Sequence, residues 1–179
     1  MPVEDADFIA RTLVSGDDHA FGELVKRHQS FVRNVLRTWL RGDETVADDL
    51  AQETFLKAYR NLRQFKGDGK FSTWLYKIAY NEFRAWARSR REHENIDDIV
   101  HEPSEDSHQI SHDFKKDLNR AMLHLSLEER SAVICCSMHG MTHPEAAEVL
   151  GWPLGTVKTH LMRGKEILRT KLAEWSGTR

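Results

Sequence analysis

Apolar side chains recur every three or four residues along most of the chain, which is the spacing of α-helices with one buried face. Asp17-Asp18 predicts a helix start, because an aspartate there accepts hydrogen bonds from N–H groups that the first turn leaves free. Asp43 and Thr45 predict the start of another helix for the same reason. Between residues 7 and 40 the predicted buried stripe comprises Leu13, Phe21, Leu24, Val25, Phe31, Val32, Val35, Leu36, Trp39 and Leu40. The later helix runs through Val46, Leu50, Phe55, Leu56, Tyr59 and Leu62.

Two glycines around an aspartate then interrupt the pattern, in the sequence Lys-Gly-Asp-Gly-Lys from Lys66 to Lys70. They predict a loop that basic residues flank. Helical spacing resumes from Phe71 to Arg91, in a segment that is both basic and rich in aromatic residues. This spacing sends Trp74, Ile78 and Phe83 largely inward. Most of the aromatic side chains of this segment are therefore expected in the core.

The C-terminal third predicts four more helices. The first has Phe114, Leu118, Ala121, Met122 and Leu125 on one face. Ser126 to Glu129 and Thr142 to Glu145 each fit a capping box, in which the first side chain and the last satisfy each other's backbone N–H groups. A helix therefore starts at each of these segments, and Gly140 ends the helix between them.

A helix-turn-helix is predicted from Ala147, Gly151 and Val157, which supply a small residue at the helix crossing, a turn glycine and an apolar anchor. Pro153 is expected in the first turn of the second helix. The buried side of that helix comprises Val157, Leu161, Leu168 and Leu172. Its other side presents Lys158, Thr159, His160, Arg163, Lys165 and Arg169. Such groups donate to phosphates and base edges in a major groove; the alternative is an ordinary solvated basic face.

Charge is divided sharply along the chain. Residues 57–91 hold ten Lys and Arg against two acids, a net charge of +8, whereas residues 92–113 hold eight acids and no Lys or Arg. The acidic stretch also contains Pro103 and loses apolar periodicity, so we interpret it as a flexible linker. The predicted fold is all-α, with small helical domains at residues 1–92 and 113–179 joined by the acidic linker 93–112.

Several function classes are disfavoured by composition. No apolar run approaches the roughly 18 residues of a membrane span, so we expect a cytoplasmic protein without membrane insertion. Cys135 and Cys136 are adjacent in an apolar stretch and are expected to be core residues. Neither these cysteines nor the ten histidines form a convergent ligand set, so neither a metal site nor a cofactor is predicted. Nothing sets a nucleophile beside an oriented base, so no enzyme is predicted.

Three segments, in order along the chain, resemble the extracytoplasmic-function (ECF) sigma factors of bacterial RNA polymerase. Asp48 to Tyr59 is similar to the family's polymerase-binding helix. Phe71 to Asn81 is similar to its promoter-melting segment, and Gly155 to Lys165 is similar to its −35 recognition helix. One departure is Gly164, which stands where the family commonly has alanine and costs about 1 kcal/mol of helix propensity.

The resemblance implies that core RNA polymerase and promoter DNA are the partners. The first domain, similar to sigma region 2, would bind the polymerase clamp helices and open the −10 element as a single strand. The second, similar to sigma region 4, would bind the polymerase flap and the −35 duplex. An anti-sigma factor is a further implied partner, and a stress or envelope response is the implied setting. The linker would thread the polymerase near the RNA path, or would be a plain solvated tether.

The resemblance also implies which residues make these contacts. Those with polymerase are Asp48, Asp49, Gln52, Glu53 and Phe55. Those with the −10 element are Lys66, Gly67, Asp68, Lys70, Phe71, Trp74, Asn81, Arg84 and Arg88. Following the family pattern, the basic loop from Gly67 to Lys70 is the preferred site for a flipped −10 base. Those with the −35 element are Lys158, Thr159, His160, Arg163 and Lys165.

Two other functions compete with this interpretation. A helix-turn-helix regulator that binds duplex DNA without polymerase would explain residues 113–175 but not the basic first domain. A metal-dependent hydrolase would use the histidines and acids, and loss of activity on chelation would be its first sign. Co-purification with core polymerase would separate a sigma factor from a regulator.

Overall fold

The computed structural model describes residues 4–93 and 111–176, and regular secondary structure within these ranges is entirely helical. The all-α prediction is confirmed. The chain divides into two compact units, residues 1–97 and 98–179, which we call unit 1 and unit 2. Most of the predicted linker 93–112 lies outside the described residues.

Unit 1 contains four α-helices. They are α1 (Asp5–Ser15), α2 (Asp18–Trp39), α3 (Glu44–Arg60) and α4 (Phe71–His93), with a short 3-10 turn at Leu62–Gln64 before the loop. The predicted starts of α2 and α3 are confirmed. The Asp17 carboxylate accepts from the Ala20 N–H at 3.1 Å, and the Asp43 carboxylate accepts from the Val46 N–H at 3.1 Å.

The core of unit 1 is aromatic where α2 meets α4. The Trp39 ring stacks on Phe83 at 5.4 Å, meets Tyr76 edge-on at 5.1 Å and lies tilted against Tyr80 at 5.1 Å. Most aromatic residues of α4 are thus core, as predicted, and Phe83 is among them. Trp74 and Ile78 remain half-exposed at the edge, contrary to the prediction for them.

The buried face of α3 differs from the predicted stripe. Most of the buried residues of α3 are small, namely Ala47, Ala51, Thr54 and Ala58, and the larger Phe55 is buried with them. Leu56 and Tyr59, predicted on the buried stripe, are exposed. Small side chains let α3 approach α2 and α4 closely, and this leaves Leu56 on the outside.

Unit 2 contains the four helices that the sequence predicts. They are α5 (Ser111–Leu123), α6 (Leu127–Val133), α7 (His143–Leu150) and α8 (Leu154–Ser176), with one π-helical turn at Ile134–Met138 after α6. Both predicted capping boxes are present, between Ser126 and Glu129 and between Thr142 and Glu145. The Arg130 side chain is buried and donates to the Met122 and Leu125 carbonyls at the end of α5.

Helices α7 and α8 form the helix-turn-helix, with Gly151 in the left-handed conformation at φ 68° and Val157 fully buried. Two details differ from the prediction. Ala146, not Ala147, is the alanine with no exposed surface. Pro153 precedes α8 rather than lying in its first turn, and its carbonyl accepts from the Val157 N–H at 3.2 Å.

The buried side of α8 comprises Val157, Leu161 and Leu168, whereas Leu172 is half-buried. Gly164 lies on this same side, facing α6. A Cβ atom at Gly164 would come 2.8 Å from Val133 Cγ2 and 3.2 Å from the Glu129 carbonyl oxygen. Glycine here therefore permits a close helix crossing, a role that helix propensity alone did not reveal.

Candidate functional site

The loop between the 3-10 turn and α4 is exposed from Lys66 to Lys70. Gly67 has φ 79°, a conformation that side chains rarely adopt, so the loop is shaped by its glycine. The Lys70 carbonyl accepts from the Thr73 N–H at 3.0 Å and so starts α4. The lysines at both ends of the loop present their ammonium groups to solvent around Asp68.

An aromatic cluster lies beside this loop. The ring centroids of Phe65, Phe71 and Trp74 are 5.5–5.6 Å from one another. Phe71 is only 4% exposed and also contacts His28, so its ring belongs to the core. Phe65 and Trp74 are half-exposed and offer the accessible aromatic surface. The sequence prediction included Phe71 and missed Phe65, which precedes the loop and gave no helical signal.

A polar row continues from the cluster along α4. Its members are three and four residues apart, which places them on one side of a helix. They are Trp74, Lys77, Asn81, Arg84 and Arg88. Asn81, Arg84 and Arg88 are exposed, and Lys77 is a half-exposed addition to the predicted set. The structure thus brings most of the predicted −10 residues onto one continuous surface, which we call the loop–α4 surface.

Not every base of the +8 segment contributes to this surface. The Lys57 ammonium binds both carboxylate oxygens of Glu82 at 2.6 Å, joining α3 to α4. The Glu82 carboxylate is largely buried and offsets the charge of Lys57, although the Lys57 side chain itself remains partly exposed. The Arg90 guanidinium lies 5.4 Å over the Trp86 ring.

A second surface lies on the outer side of α3. Asp49, Gln52 and Glu53 are exposed, and Leu56, at 47% exposed, follows one turn later on the same side. This combination of acids, an amide and one exposed leucine is hereafter the α3 surface. Leu56 is absent from the predicted polymerase contacts because helical spacing assigned its side chain to the buried stripe.

Two of the predicted polymerase contacts are engaged inside unit 1. The Asp48 carboxylate lies 3.3 Å from Arg33 Nε and 3.7 Å from an Arg37 nitrogen, which ties α3 to α2. The Phe55 ring is only 9% exposed and packs in the core. The burial of Phe55 corrects its predicted role as a direct contact, because a buried ring presents no surface to a partner.

The outer side of α8 is polar and basic. Lys158, Thr159, Arg163 and Lys165 are exposed. His160 is half-buried, with its ring 5.5 Å from that of Trp152, so less of it is available than the sequence suggested. The Arg169 guanidinium is paired with Glu166. Met162, absent from the predicted set, is exposed among these residues.

Three further observations concern membrane spans, metal ligands and cysteines among the described residues. No helix in the described ranges is long and apolar enough to cross a membrane. Within residues 4–93 and 111–176, no three His, Cys, Asp or Glu side chains are grouped closely enough to hold a metal ion. Cys135 is buried, and burial raises the pKa of the half-buried Cys136 thiol.

Two family models match the chain in the order of its two units. Sigma-70 region 2 matches residues 24–93, and Sigma-70, region 4 matches residues 115–168. The first match contains the α3 surface and the loop–α4 surface. The second contains the helix-turn-helix.

Whole-length relatives point the same way. The chain is 35% identical to the ECF RNA polymerase sigma factor SigE of Mycolicibacterium smegmatis, over 97% of this chain and 72% of the relative. It is 30% identical to the ECF RNA polymerase sigma-E factor of Escherichia coli K12, over 88% of each chain. A helix-turn-helix regulator would not match region 2, so these relatives favour a sigma factor.

Solved structures agree in fold at 26% identity. The sigma factor RpoE, in complex with the anti-sigma factor NepR from Bartonella quintana, aligns with a TM-score of 0.73 over 86% of this chain and 96% of that chain. CnrH, in complex with the cytosolic domain of CnrY, aligns with a TM-score of 0.68 over 96% and 99%. The two family models, the relatives and the fold all agree. The chain therefore belongs to the ECF sigma factors of bacterial RNA polymerase.

Proposed function

We propose that this chain directs core RNA polymerase to promoters, with unit 1 binding the core enzyme and the single-stranded −10 element and unit 2 binding the −35 duplex. The observation that carries the proposal is the continuity of the loop–α4 surface. It joins two loop lysines, accessible aromatic rings and a row of cations along one helix, all within the region 2 match.

The loop–α4 surface fits single-stranded DNA in its chemistry. The half-exposed rings of Phe65 and Trp74 stand 5.6 Å apart beside the loop and offer stacking faces for an unpaired base. Asn81, Arg84 and Arg88 extend away from them in a row that suits a phosphate backbone. Phe71 supports the cluster from within the core instead of contacting DNA.

The α3 surface is the proposed contact with the polymerase clamp helices. Its exposed leucine lies beside Gln52 and Glu53, and an apolar centre with a polar rim is typical of protein interfaces. Asp48 acts through its ion pairs with Arg33 and Arg37, which hold α3 against α2. Unit 2 would bind the polymerase flap as well as DNA.

The outer side of α8 is the proposed −35 contact. The Thr159 hydroxyl donates to the Gly155 carbonyl at 2.9 Å, which keeps its oxygen available as an acceptor. Lys158, Arg163 and Lys165 are exposed around it and would reach phosphates and base edges.

An anti-sigma factor is the regulatory partner that we propose for this chain. The solved relatives RpoE and CnrH are seen with NepR and with the cytosolic domain of CnrY. We therefore expect an anti-sigma factor to hold this chain inactive until a stress or envelope signal, in the cytoplasm. The chain is proposed to act without catalysis of its own, since the polymerase forms the phosphodiester bonds.

The test is transcription in vitro with core RNA polymerase, followed by sequencing of the transcript starts. We expect initiation at defined sites that share −10 and −35 sequences. Glu53→Lys should lower affinity for core polymerase, because it reverses a charge on the α3 surface. Glu23→Lys is the matched control, an equal charge reversal on α2. Failure of the wild-type chain to co-purify with core polymerase would contradict the proposal and favour a regulator that acts alone.

A further inference from the structure

Among the described residues of unit 2, Met162 is the most exposed large apolar side chain, at 67%. Helix α8 needs no apolar residue at this position for its own packing, because its buried side is formed by Val157, Leu161 and Leu168. Met162 is instead exposed among the polar and basic residues of the outer side of α8, where a partner would have to cover it to shield it from water.

The neighbours of Met162 indicate what that complex contains. An α-helix turns by about 100° per residue, so Lys158, Met162 and Lys165 follow one another along one side of α8. Thr159 and Arg163 flank Met162 on its other side. The acid Glu166, one turn later, is paired with Arg169. Met162 therefore lies between two lysines on one side and, beyond Thr159 and the paired acid, Arg163 on the other, an arrangement complementary to two rows of phosphates.

A major groove has phosphates on both sides and offers one methyl group at its base edges, the C5-methyl of thymine. Methionine suits such a contact because its unbranched, polarizable side chain adapts to irregular apolar surfaces. The cations at either side would hold the helix in the groove, and the methionine would then face the bases.

We propose that Met162 is a specificity-determining residue, which distinguishes thymine at one or two −35 positions by packing against its C5-methyl group. The proposal rests on the proposed function of α8 and adds to it a residue that none of the predicted hydrogen-bonding contacts includes. Hydrogen bonds from Lys158 or Arg163 do not depend on this methyl group. Removing the methyl group from the DNA therefore tests the apolar contact alone.

The experiment uses holoenzyme reconstituted from core polymerase and the full chain. Its preferred −35 sequence is selected from duplexes randomised across this element, and each thymine is then replaced in turn by deoxyuridine, which lacks only the methyl group. For the wild type we expect about a fourfold loss of affinity at one or two positions, as burial of one such group implies. For Met162→Ala we expect no loss at those positions.

Met138→Ala is the matched control, because Met138 is also exposed, at 47%, but lies on the π-helical turn outside α8. It should retain the fourfold methyl effect. The inference is overturned if Met162→Ala shows the same methyl effect as the wild type, or if it loses affinity for core polymerase, as a protein contact would require. If the wild type selects no preferred −35 sequence, the proposed function of α8 fails instead, and the inference fails with it.

Discussion

At the scale of single residues, Gly164 shows how packing overrides propensity. In an exposed helix, alanine would be favoured over glycine by about 1 kcal/mol. At Gly164 the added methyl would meet Val133 Cγ2 at 2.8 Å and the Glu129 carbonyl at 3.2 Å. A β-branched side chain on α6 and a backbone oxygen have little freedom to move away. Overpacking of this kind typically costs about 1–3 kcal/mol, which exceeds the gain in propensity.

We therefore expect Gly164→Ala to lower the free energy of unfolding of unit 2 by about 1 kcal/mol, measured by urea denaturation. Gly155→Ala is the matched control on the same helix, since nothing lies within 4 Å of a Cβ atom there. It should not lower stability. An equally stable Gly164→Ala variant would mean that α6 and α8 separate at little cost.

His139 provides a residue-scale prediction of pH dependence. Burial lowers the pKa of His139 below its ordinary value of 6.5, because the charged imidazolium is poorly solvated there. As pH falls, the unfolded chain therefore takes up this proton before the folded chain does. The contribution of the neutral His139 side chain to the stability of unit 2 should be fully present above about pH 6.5. It should be lost as pH falls through the lowered pKa.

The measurement is urea denaturation at pH 7.5 and at pH 5.5. His139→Gln should lose less stability than the wild type between these two conditions, because it carries no group that titrates there. His124→Gln, which changes an exposed histidine, is the control and should lose as much as the wild type. Equal losses in all three proteins would show that His139 does not contribute to the pH dependence.

At the scale of helices, the sequence was most informative where the signal is local. Caps such as Asp17, Asp43, Ser126 and Thr142 each satisfy N–H groups within three residues, so the start of a helix can be predicted without knowing the fold. The glycines of the loop and of the helix-turn-helix likewise predict turns from the local sequence alone.

Orientation of a helix was harder to predict, because it depends on neighbours that are distant in sequence. Helix α3 carries both an alanine face and a face with Leu56 and Tyr59, and hydrophobicity alone favours the larger residues. The choice is made by α2 and α4, against which four small residues and Phe55 pack. This error kept the exposed Leu56 out of the predicted polymerase contacts, whereas the buried Phe55 entered them through the family resemblance.

The loop–α4 surface gives the prediction that belongs to this scale. Lys66→Ala/Lys70→Ala should weaken capture of single-stranded −10 DNA by holoenzyme and reduce its salt dependence, because two cations near the phosphates are removed. Binding of core polymerase should be unchanged, since α3 is not altered. The measurement is fluorescence anisotropy of a labelled −10 oligonucleotide at several salt concentrations.

The matched control removes the same charge from other helices of unit 1. Arg11→Ala/Lys26→Ala changes two exposed side chains, on α1 and α2, whose partners Asp17 and Glu23 lie next to them. If this variant loses as much affinity as the loop variant, net charge rather than the loop governs the capture of single strands.

At the scale of the whole molecule, charge and folding divide the chain at similar places. The basic segment ends at Arg91, the acidic segment runs from Glu92 to Asp113, and the boundary between the two compact units falls after residue 97 of the chain. Each unit buries its own apolar core, in unit 1 around Trp39 and in unit 2 around Val157. The net charge of −2 therefore conceals a strongly basic segment within unit 1, residues 57–91, whose charge suits a phosphate backbone.

The last prediction is that the two units fold separately and divide the work of promoter binding. Residues 1–93 should unfold cooperatively by themselves and, with core polymerase, should bind single-stranded −10 DNA through the loop–α4 surface, more weakly as salt rises. Residues 111–179 should bind the −35 duplex weakly and ignore the single strand, because α8 lacks the accessible aromatic pair of unit 1. Fluorescence anisotropy of each labelled DNA with each fragment measures both binding preferences. Capture of the single strand by residues 111–179, or no binding of it by residues 1–93 with core polymerase, would show that the −10 element is not bound by unit 1.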